Sequence, residues 1–369
     1  MTIKADKSVS TRFFGLMSAI LFSALLAACA AKPLVPYSTS YEPLDLAPGN
    51  PQELSDGRSR FREIFCAINQ DHGKELPDYM PCDEALTRVG KEAEPSQRPV
   101  NLDSSRRDDL VLLVPGLGYQ CIKNWLDHDN SAPNHVARYG YEVEFLEVSG
   151  LSGSPHNARM IRDYVLDLPP QNEGRPLILV GYSKGAPDIL EALVSYPELA
   201  EKVTAVISFA GAIGGSLLAD DATLSQVNLL TKVPRSDCDK GDGKSLESLS
   251  PEVRKAFLAG NRLPEHIRYY SVIAFPSPER ISFGLKSSYR KLASIADARN
   301  DSQLVFSDQV IPGSTVLAFV NADHWAMAVP VARQHKFAAS TFVSQNNYPR
   351  EVILEALLRY LEEDLSNEP

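Results

Sequence analysis

Ser183 sits in Gly181-Tyr182-Ser183-Lys184-Gly185, a G-x-S-x-G pentapeptide. The apolar run Leu177-Ile178-Leu179-Val180 precedes it, and the stretch from Asp188 to Tyr196 follows with Ile189, Leu190, Leu193 and Val194 at helical spacing. A serine between a buried strand and a helix occupies a sharp turn. The flanking glycines tolerate the tightness, the serine backbone is strained, and its hydroxyl projects above the sheet. The helix that follows aims free N–H groups and the positive end of its dipole at the same place, which favours an anionic intermediate. That is the setting of a nucleophile. The plain alternative is a turn serine without chemistry, and a pentapeptide alone does not exclude it.

A nucleophilic serine needs a base, and the base needs an orienting carboxylate. With a nucleophile on a strand-to-helix turn, the chain order is serine, acid, histidine. Three histidines follow Ser183, namely His266, His324 and His335. His324, in Asn321-Ala322-Asp323-His324-Trp325, lies four residues beyond a strand candidate ending at Val320. His266 precedes a strand, and His335 has no strand end nearby, so His324 is the expected base. The expected acid is Asp301, with Asp297 and Asp308 as close competitors. Asp323 adjoins the base and would have to turn back on its neighbour. For each, a solvated loop aspartate is the bland reading. The oxyanion hole is expected to combine the N–H of Lys184 with an N–H from Pro115-Gly116-Leu117-Gly118-Tyr119, where Leu117 is the first candidate and Gly118 the second.

These groups need a scaffold that brings strand ends together. Leu110–Val114 is a continuous apolar run ending at Pro115-Gly116, as expected of a strand buried on both faces. Further strands are expected at Tyr141–Val148, Leu177–Val180, Val203–Phe209, Tyr269–Phe275 and Thr315–Val320. Helices are expected at His156–Leu168, Asp188–Tyr196, Pro251–Ala259 and Arg350–Leu361. Alternation of this kind predicts an α/β fold, a mainly parallel sheet with helices on both faces. The interval 212–264 interrupts it after a strand end and is a cap or lid candidate over the active side. Residues 54–105, with helix-like pieces around Phe61–Phe65 and Asp83–Val89, read as an N-terminal extension packed on a main domain of 106–365.

From about 109 to 362 the chain resembles the α/β-hydrolase superfamily, and within it bacterial serine esterases and lipases. Pro115-Gly116 corresponds to the His-Gly before the oxyanion donor of that group, and Gly181–Gly185 to its nucleophile turn. Phe209-Ala210-Gly211-Ala212-Ile213-Gly214-Gly215-Ser216 resembles the lipase segment at the strand end beyond the turn. Asn300-Asp301-Ser302 with Leu304-Val305 is similar to the lipase Asn-Asp-Gly-x-Val around the acid. Three departures stand out: Pro115 for His, Ser302 for Gly, and Lys184 for the common Gln, Met or His. Lys184 either places a cation beside the pocket or lies solvated at the helix N-terminus. The resemblance implies an α/β-hydrolase fold that cleaves carboxylic acyl esters through an acyl-enzyme, without cofactor or metal. An acyltransferase using the same acyl-enzyme and a non-catalytic surface protein are the alternatives. The apolar stretch Ala326–Val331 favours an ester with a hydrophobic chain.

The first residues point to export. Lys4, Lys7 and Arg12 precede an apolar stretch, Phe13 to Ala28, the length of a signal-peptide core and short for a membrane span. It ends in Leu26-Ala27-Ala28-Cys29, which resembles a bacterial lipobox and implies cleavage before Cys29 and its acylation by fatty acids such as palmitate. A plain secretory signal is the alternative. Ala30, in place of an acidic residue, favours an outer-membrane lipoprotein facing periplasm or cell surface. Residues 29–53 suit a tether. Cys66, Cys82, Cys121 and Cys238 are then four cysteines in an oxidising compartment, with Cys66–Cys82 and Cys121–Cys238 the first-choice pairing. Their spacing does not suggest a metal site. Net charge is −10 over 369 residues, and excluding the basic leader makes the remainder more acidic still. Such a chain is a poor partner for nucleic acid or an anionic membrane surface, so a lipid anchor rather than charge would hold it there.

Overall fold

The computed structural model describes residues 54–126, 131–220 and 239–366. The leader, Cys29, the tether, Cys238 and residues 221–238 of the insertion lie outside them. Two short strands, β1 (Ser55–Asp56) and β2 (Leu86–Thr87), precede six longer ones. These are β3 (Leu110–Val114), β4 (Glu142–Phe145), β5 (Leu177–Tyr182), β6 (Val203–Phe209), β7 (Arg268–Ala274) and β8 (Thr315–Val320). Their order is β1-β8-β7-β6-β5-β3-β4. Every neighbouring pair along that path is parallel.

The sheet separates two apolar layers because successive side chains of a strand point to opposite faces. Val111, Ile178, Ala205, Ile207, Val272 and Leu317 face one layer. There they meet Phe61, Ile64, Phe65 and Ile68 of helix α1 (Arg58–Asp71), four residues at helical spacing. Leu110, Leu112, Leu179 and Val206 face the other layer, with α2 (Ser154–Leu166) and α3 (Gly185–Ser195). Strands buried on both faces explain why the sequence shows runs rather than alternation. Helices α4 (Pro251–Gly260) and α5 (Lys286–Ile295) lie on either side of β7 in the chain. The closing helix α6 (Arg350–Ser366) completes the α1 layer with Val352, Ile353, Leu357 and Leu361. No helix among the described residues is long and apolar enough to cross a membrane.

The N-terminal extension joins the sheet itself. β1 runs parallel to the start of β8, and β2 runs antiparallel to its end, Leu86 opposite Val320. The stretch 83–89, read as helical from sequence, therefore divides. Cys82–Ala85 makes one helical turn, and then the open edge of β8 captures Leu86-Thr87 as strand. The Cys66–Cys82 disulfide ties this turn to α1, with the two Cα atoms 5.3 Å apart. Cys121 is buried, and its expected partner Cys238 lies outside the described residues.

Strand order reverses between β3 and β5, since β3 continues outward to β4 while β5 leads the other way. A crevice opens beyond the carboxyl ends of strands at such a reversal. The turn after β3 carries Pro115–Gly118, and the turn after β5 carries Ser183.

Candidate active site

β5 ends at Tyr182 and α3 begins at Gly185, leaving two residues for the turn. Ser183 takes a left-handed backbone, φ +53°, a conformation costly to a residue with a Cβ. Its surroundings hold it there. Ser183 N–H donates to the Phe209 carbonyl at 3.3 Å, and the Ala212 N–H donates to the Ser183 carbonyl at 3.0 Å. The glycines on either side are required by contact as well as by the turn. A Cβ on Gly181 would stand 2.4 Å from Ala186 Cα, and one on Gly185 2.1 Å from the Val114 carbonyl oxygen.

Ser183 Oγ lies 2.9 Å from Nε2 of His324. The other ring nitrogen, Nδ1, lies 2.6 Å from Oδ2 of Asp301. The remaining oxygen of Asp301 accepts the N–H groups of Gln303 at 2.9 Å and Leu304 at 2.7 Å. Asp301 is fully buried and His324 is 5% exposed. A backbone bond, His324 N–H to the Asp301 carbonyl at 2.9 Å, joins the two loops directly. The structure thus brings together the three residues expected from sequence. Gln309 steadies the acid loop from behind, its side-chain amide bonding both the N–H and the carbonyl of Ala274 at the end of β7.

The competing residues lie elsewhere. Asp297 is paired with Arg299, 2.7 Å between Oδ2 and Nη2. Asp308 faces Gly214, where a Cβ would stand 2.6 Å from its Oδ1. Burial pushes its carboxyl up to about 6, only partly opposed by Lys255. Asp323 caps the helix His324–Ala328, accepting the Ala326 N–H at 2.8 Å, and accepts the Ser282 N–H with its other oxygen. His266 Nε2 bonds the Ala200 carbonyl at 3.0 Å. His335 sits between the short helices Val331–Gln334 and Lys336–Ser340.

At the turn after β3, Gly116 is pressed against Ser183, since a Cβ there would stand 2.8 Å from Ser183 Cβ. The Gly118 N–H is spent on the Gly150 carbonyl at 3.1 Å. Among the described residues neither Leu117 nor Lys184 donates its N–H to a backbone carbonyl.

The Lys184 side chain is not solvated at the helix start: it is 1% exposed, with Nζ 2.7 and 2.8 Å from the two oxygens of Asp188 one turn along α3. Asp188 also accepts from Asn157 Nδ2 at 2.6 Å, and the same amide donates to the Ser149 carbonyl. A buried network thus links the turn at Ser183 to α2 and to the preceding loop 149–153, whose Gly150 holds Gly118. Tyr182 has a role that the sequence reading does not assign. Its hydroxyl donates to the His324 carbonyl at 2.5 Å and its ring stacks on the imidazole, centroids 5.1 Å apart. Burial drives this phenol well above its ordinary pKa, so it stays a donor. Only its place inside the pentapeptide could have pointed to it.

The apolar stretch after His324 also has a different role from the one expected. Ala326, Met327 and Val329 are buried, and the first two pack in the α1–α6 layer. Apolar surface beside His324 comes instead from Trp325 stacked on Phe342, which also meets the segment of Phe283, 66% exposed. The described ends of the insertion are tied down on either side: Ser216 Oγ donates to the Gln303 carbonyl beside Asp301, and Ser248 Oγ accepts from Ser154 N at the start of α2.

No protein-family model matches the sequence, and no curated protein compared with it does. Solved structures do. The crystal structure of Staphylococcus hyicus lipase covers 73% of this chain and 100% of its own at 15% identity, TM-score 0.54, a likeness of fold. A carboxyl esterase of metagenomic origin is 40% identical, with a TM-score of 0.78, over 93% of this chain and 99% of that one. With that identity across almost the whole of both chains, the protein belongs to the same family of carboxyl esterases, on the α/β-hydrolase fold.

Proposed function

We propose that the protein is a serine hydrolase of carboxylic acyl esters in which Ser183 is the nucleophile, His324 the general base and acid, and Asp301 the carboxylate that orients it. The hydrogen-bonded line from Ser183 Oγ through His324 to Asp301 carries this reading. Ser183 Oγ attacks the ester carbonyl carbon while its proton passes to His324 Nε2. The resulting imidazolium is held at Nδ1 by Asp301, whose other oxygen is fixed by two backbone N–H groups and so cannot follow the ring. The negative oxygen of the tetrahedral intermediate is received by the N–H groups of Lys184 and Leu117. Its collapse passes the Nε2 proton to the departing alcohol and leaves Ser183 acylated. Water, deprotonated by Nε2, then repeats the sequence and releases the acid.

Two observations support an ester with a hydrophobic acyl chain. Leu117 packs with Ala212, Leu249 and Leu304 beside the oxyanion turn, and the Trp325–Phe342 stack with Phe283 forms an apolar rim at the base. The lipobox-like Leu26-Ala27-Ala28-Cys29 supports an exported lipoprotein anchored through Cys29, facing periplasm or cell surface.

Ser183→Ala should abolish p-nitrophenyl ester hydrolysis and fluorophosphonate labelling together; undiminished labelling of the variant would sink the assignment. A chain-length series of acyl esters, run with and without a competing alcohol, separates esterase from lipase and hydrolysis from acyl transfer. Radiolabelled palmitate should enter the wild type and not Cys29→Ser; equal labelling would refute the anchor.

A further inference from the structure

Away from Ser183, α6 buries a second carboxylate. Glu355 is fully buried, and its Oε1 accepts from Arg359 Nε at 2.8 Å, one turn along the helix. Its Oε2 is met by two imidazoles, Nε2 of His135 at 2.6 Å and Nε2 of His72 at 2.9 Å. His72 follows the last residue of α1, and His135 lies in the short helix Ala132–Ala137. Three segments distant in sequence therefore present two nitrogens and one oxygen within 4.8 Å of one another.

Proton counting makes this arrangement informative. His72 Nδ1 lies 2.9 Å from Oδ2 of Asp71. A neutral imidazole has one N–H. Once that N–H is given to Asp71, Nε2 turns a lone pair toward the lone pairs of Glu355 Oε2. Like then faces like. A metal ion placed between them would satisfy both. The surroundings match a metal ligand set. A carboxylate behind the ring of one histidine fixes its tautomer, and Arg359 fixes the ligating carboxylate, as outer partners do around bound metals.

We propose that His72 Nε2, His135 Nε2 and Glu355 Oε2 bind one divalent first-row metal ion, zinc by the chemistry of two imidazoles and a carboxylate. Tetrahedral ligands 2.0–2.2 Å from zinc stand roughly 3.4 Å apart, so each Nε2 draws back from Oε2 by less than about 1 Å. Arg138 Nη2 now contacts His135 Nδ1, which places the His135 proton on Nε2. Metal binding moves that proton to Nδ1, and Arg138, whose side chain is on the exposed surface, turns into solvent. Tyr139, stacked on His72 with its hydroxyl 3.4 Å from Nε2, closes one flank. A water completes the coordination from the side of His72, the most exposed of the three ligands. The ion cross-links α1, the 132–137 helix and α6. Its role is stability, separate from Ser183.

The test uses the untagged full chain, stripped with a chelator and titrated with zinc chloride. One equivalent should bind and raise Tm without changing ester kinetics, and cobalt(II) should give the visible absorption of a tetrahedral site. Asp71→Asn, at an exposed position, should weaken binding about 10- to 100-fold, and His72→Gln should weaken it further and abolish the cobalt band. Glu355→Gln alone would be ambiguous if it unfolds, whereas the changes at Asp71 and His72 keep the result readable. Absence of stoichiometric binding by the stripped wild type, or zinc affinity unchanged in both Asp71→Asn and His72→Gln, would overturn the proposal.

Discussion

Two buried histidine–carboxylate contacts of the same length occur in this molecule, 2.6 Å from His324 to Asp301 and 2.6 Å from His135 to Glu355. What each carboxylate does with its other oxygen sets them apart. Asp301 gives it to two backbone N–H groups of its own loop. Those are neutral dipoles that hold position without a competing charge. Glu355 gives it to the guanidinium of Arg359 and shares the first with a second imidazole. The third members differ too. A hydroxyl at His324 Nε2 can surrender a proton and then form a bond; a second imidazole beside Glu355 can only share a charge. In the first pair Asp301 stands on a loop and His324 opens the short helix after β8, with left-handed residues Ser183 and Ser302 next to them. The second stands on helices. On the two proposals made here, the same two side-chain types make a proton relay in one place and a chelate in the other.

The sharpest way to break this contrast is to neutralise each carboxylate. Asp301→Asn should lower kcat on the order of 10^4-fold with the fold intact, because the amide favours the wrong tautomer of His324. Glu355→Gln should instead read out as a lower Tm. Asp297→Asn and Asp308→Asn serve as controls for the acid, and a fully active Asp301→Asn would redirect the choice to them.

Next in size is the network beneath the oxyanion turn. Lys184→Met leaves Asp188 buried without its cation and should cost about 3–5 kcal/mol in urea unfolding. The double change Lys184→Met, Asp188→Leu should recover much of it. Equal losses in the single and double variants would show that the ion pair is not the cause.

Asp308 supplies a pH dependence of opposite sign to that of a paired carboxylate. Its folded carboxyl sits at about 6 against an ordinary 3.8, raised by burial. Between those values the folded state keeps a proton that the unfolded chain has lost, so stability falls as pH rises through that window. Asp308→Asn cannot ionise. It should match the wild type near pH 3.5 and exceed it at pH 7 by about 2–3 kcal/mol. Parallel stability–pH curves for the two proteins would contradict this.

The smallest effect concerns Ser302. It holds φ +83° with a buried, unpartnered hydroxyl, where lipase-like chains carry glycine. Ser302→Gly should stabilise by up to about 1 kcal/mol by relieving the left-handed strain, read as a higher urea midpoint at unchanged slope. A lower midpoint would mean that the serine is held by something other than backbone geometry.

Much of the fold was legible because it depends on local pattern. Apolar runs at 110–114, 203–209 and 315–320 coincide with strands β3, β6 and β8. The stretch 83–89 misled because Leu86 and Thr87 obey a partner, the edge of β8, rather than their own propensity. Lys184 misled for a related reason. A lysine at a helix start is ordinarily solvated, and here Asp188 and Asn157 exist to receive it only once α2 and α3 are packed.

By itself the sequence determined the strand-to-helix turn at Ser183, the chain order of Ser183, Asp301 and His324, and the strands ending at Tyr182 and Val320. Those rest on spacing within a few residues and on the direction of the chain. Tertiary structure alone decided that Gly118 is spent on Gly150 and Leu117 is not, that Tyr182 lies under His324, and that His72 and Glu355, 283 residues apart, meet at one oxygen. Where a side chain points after such a separation is set by the packing of whole helices against the sheet, and no local pattern records it.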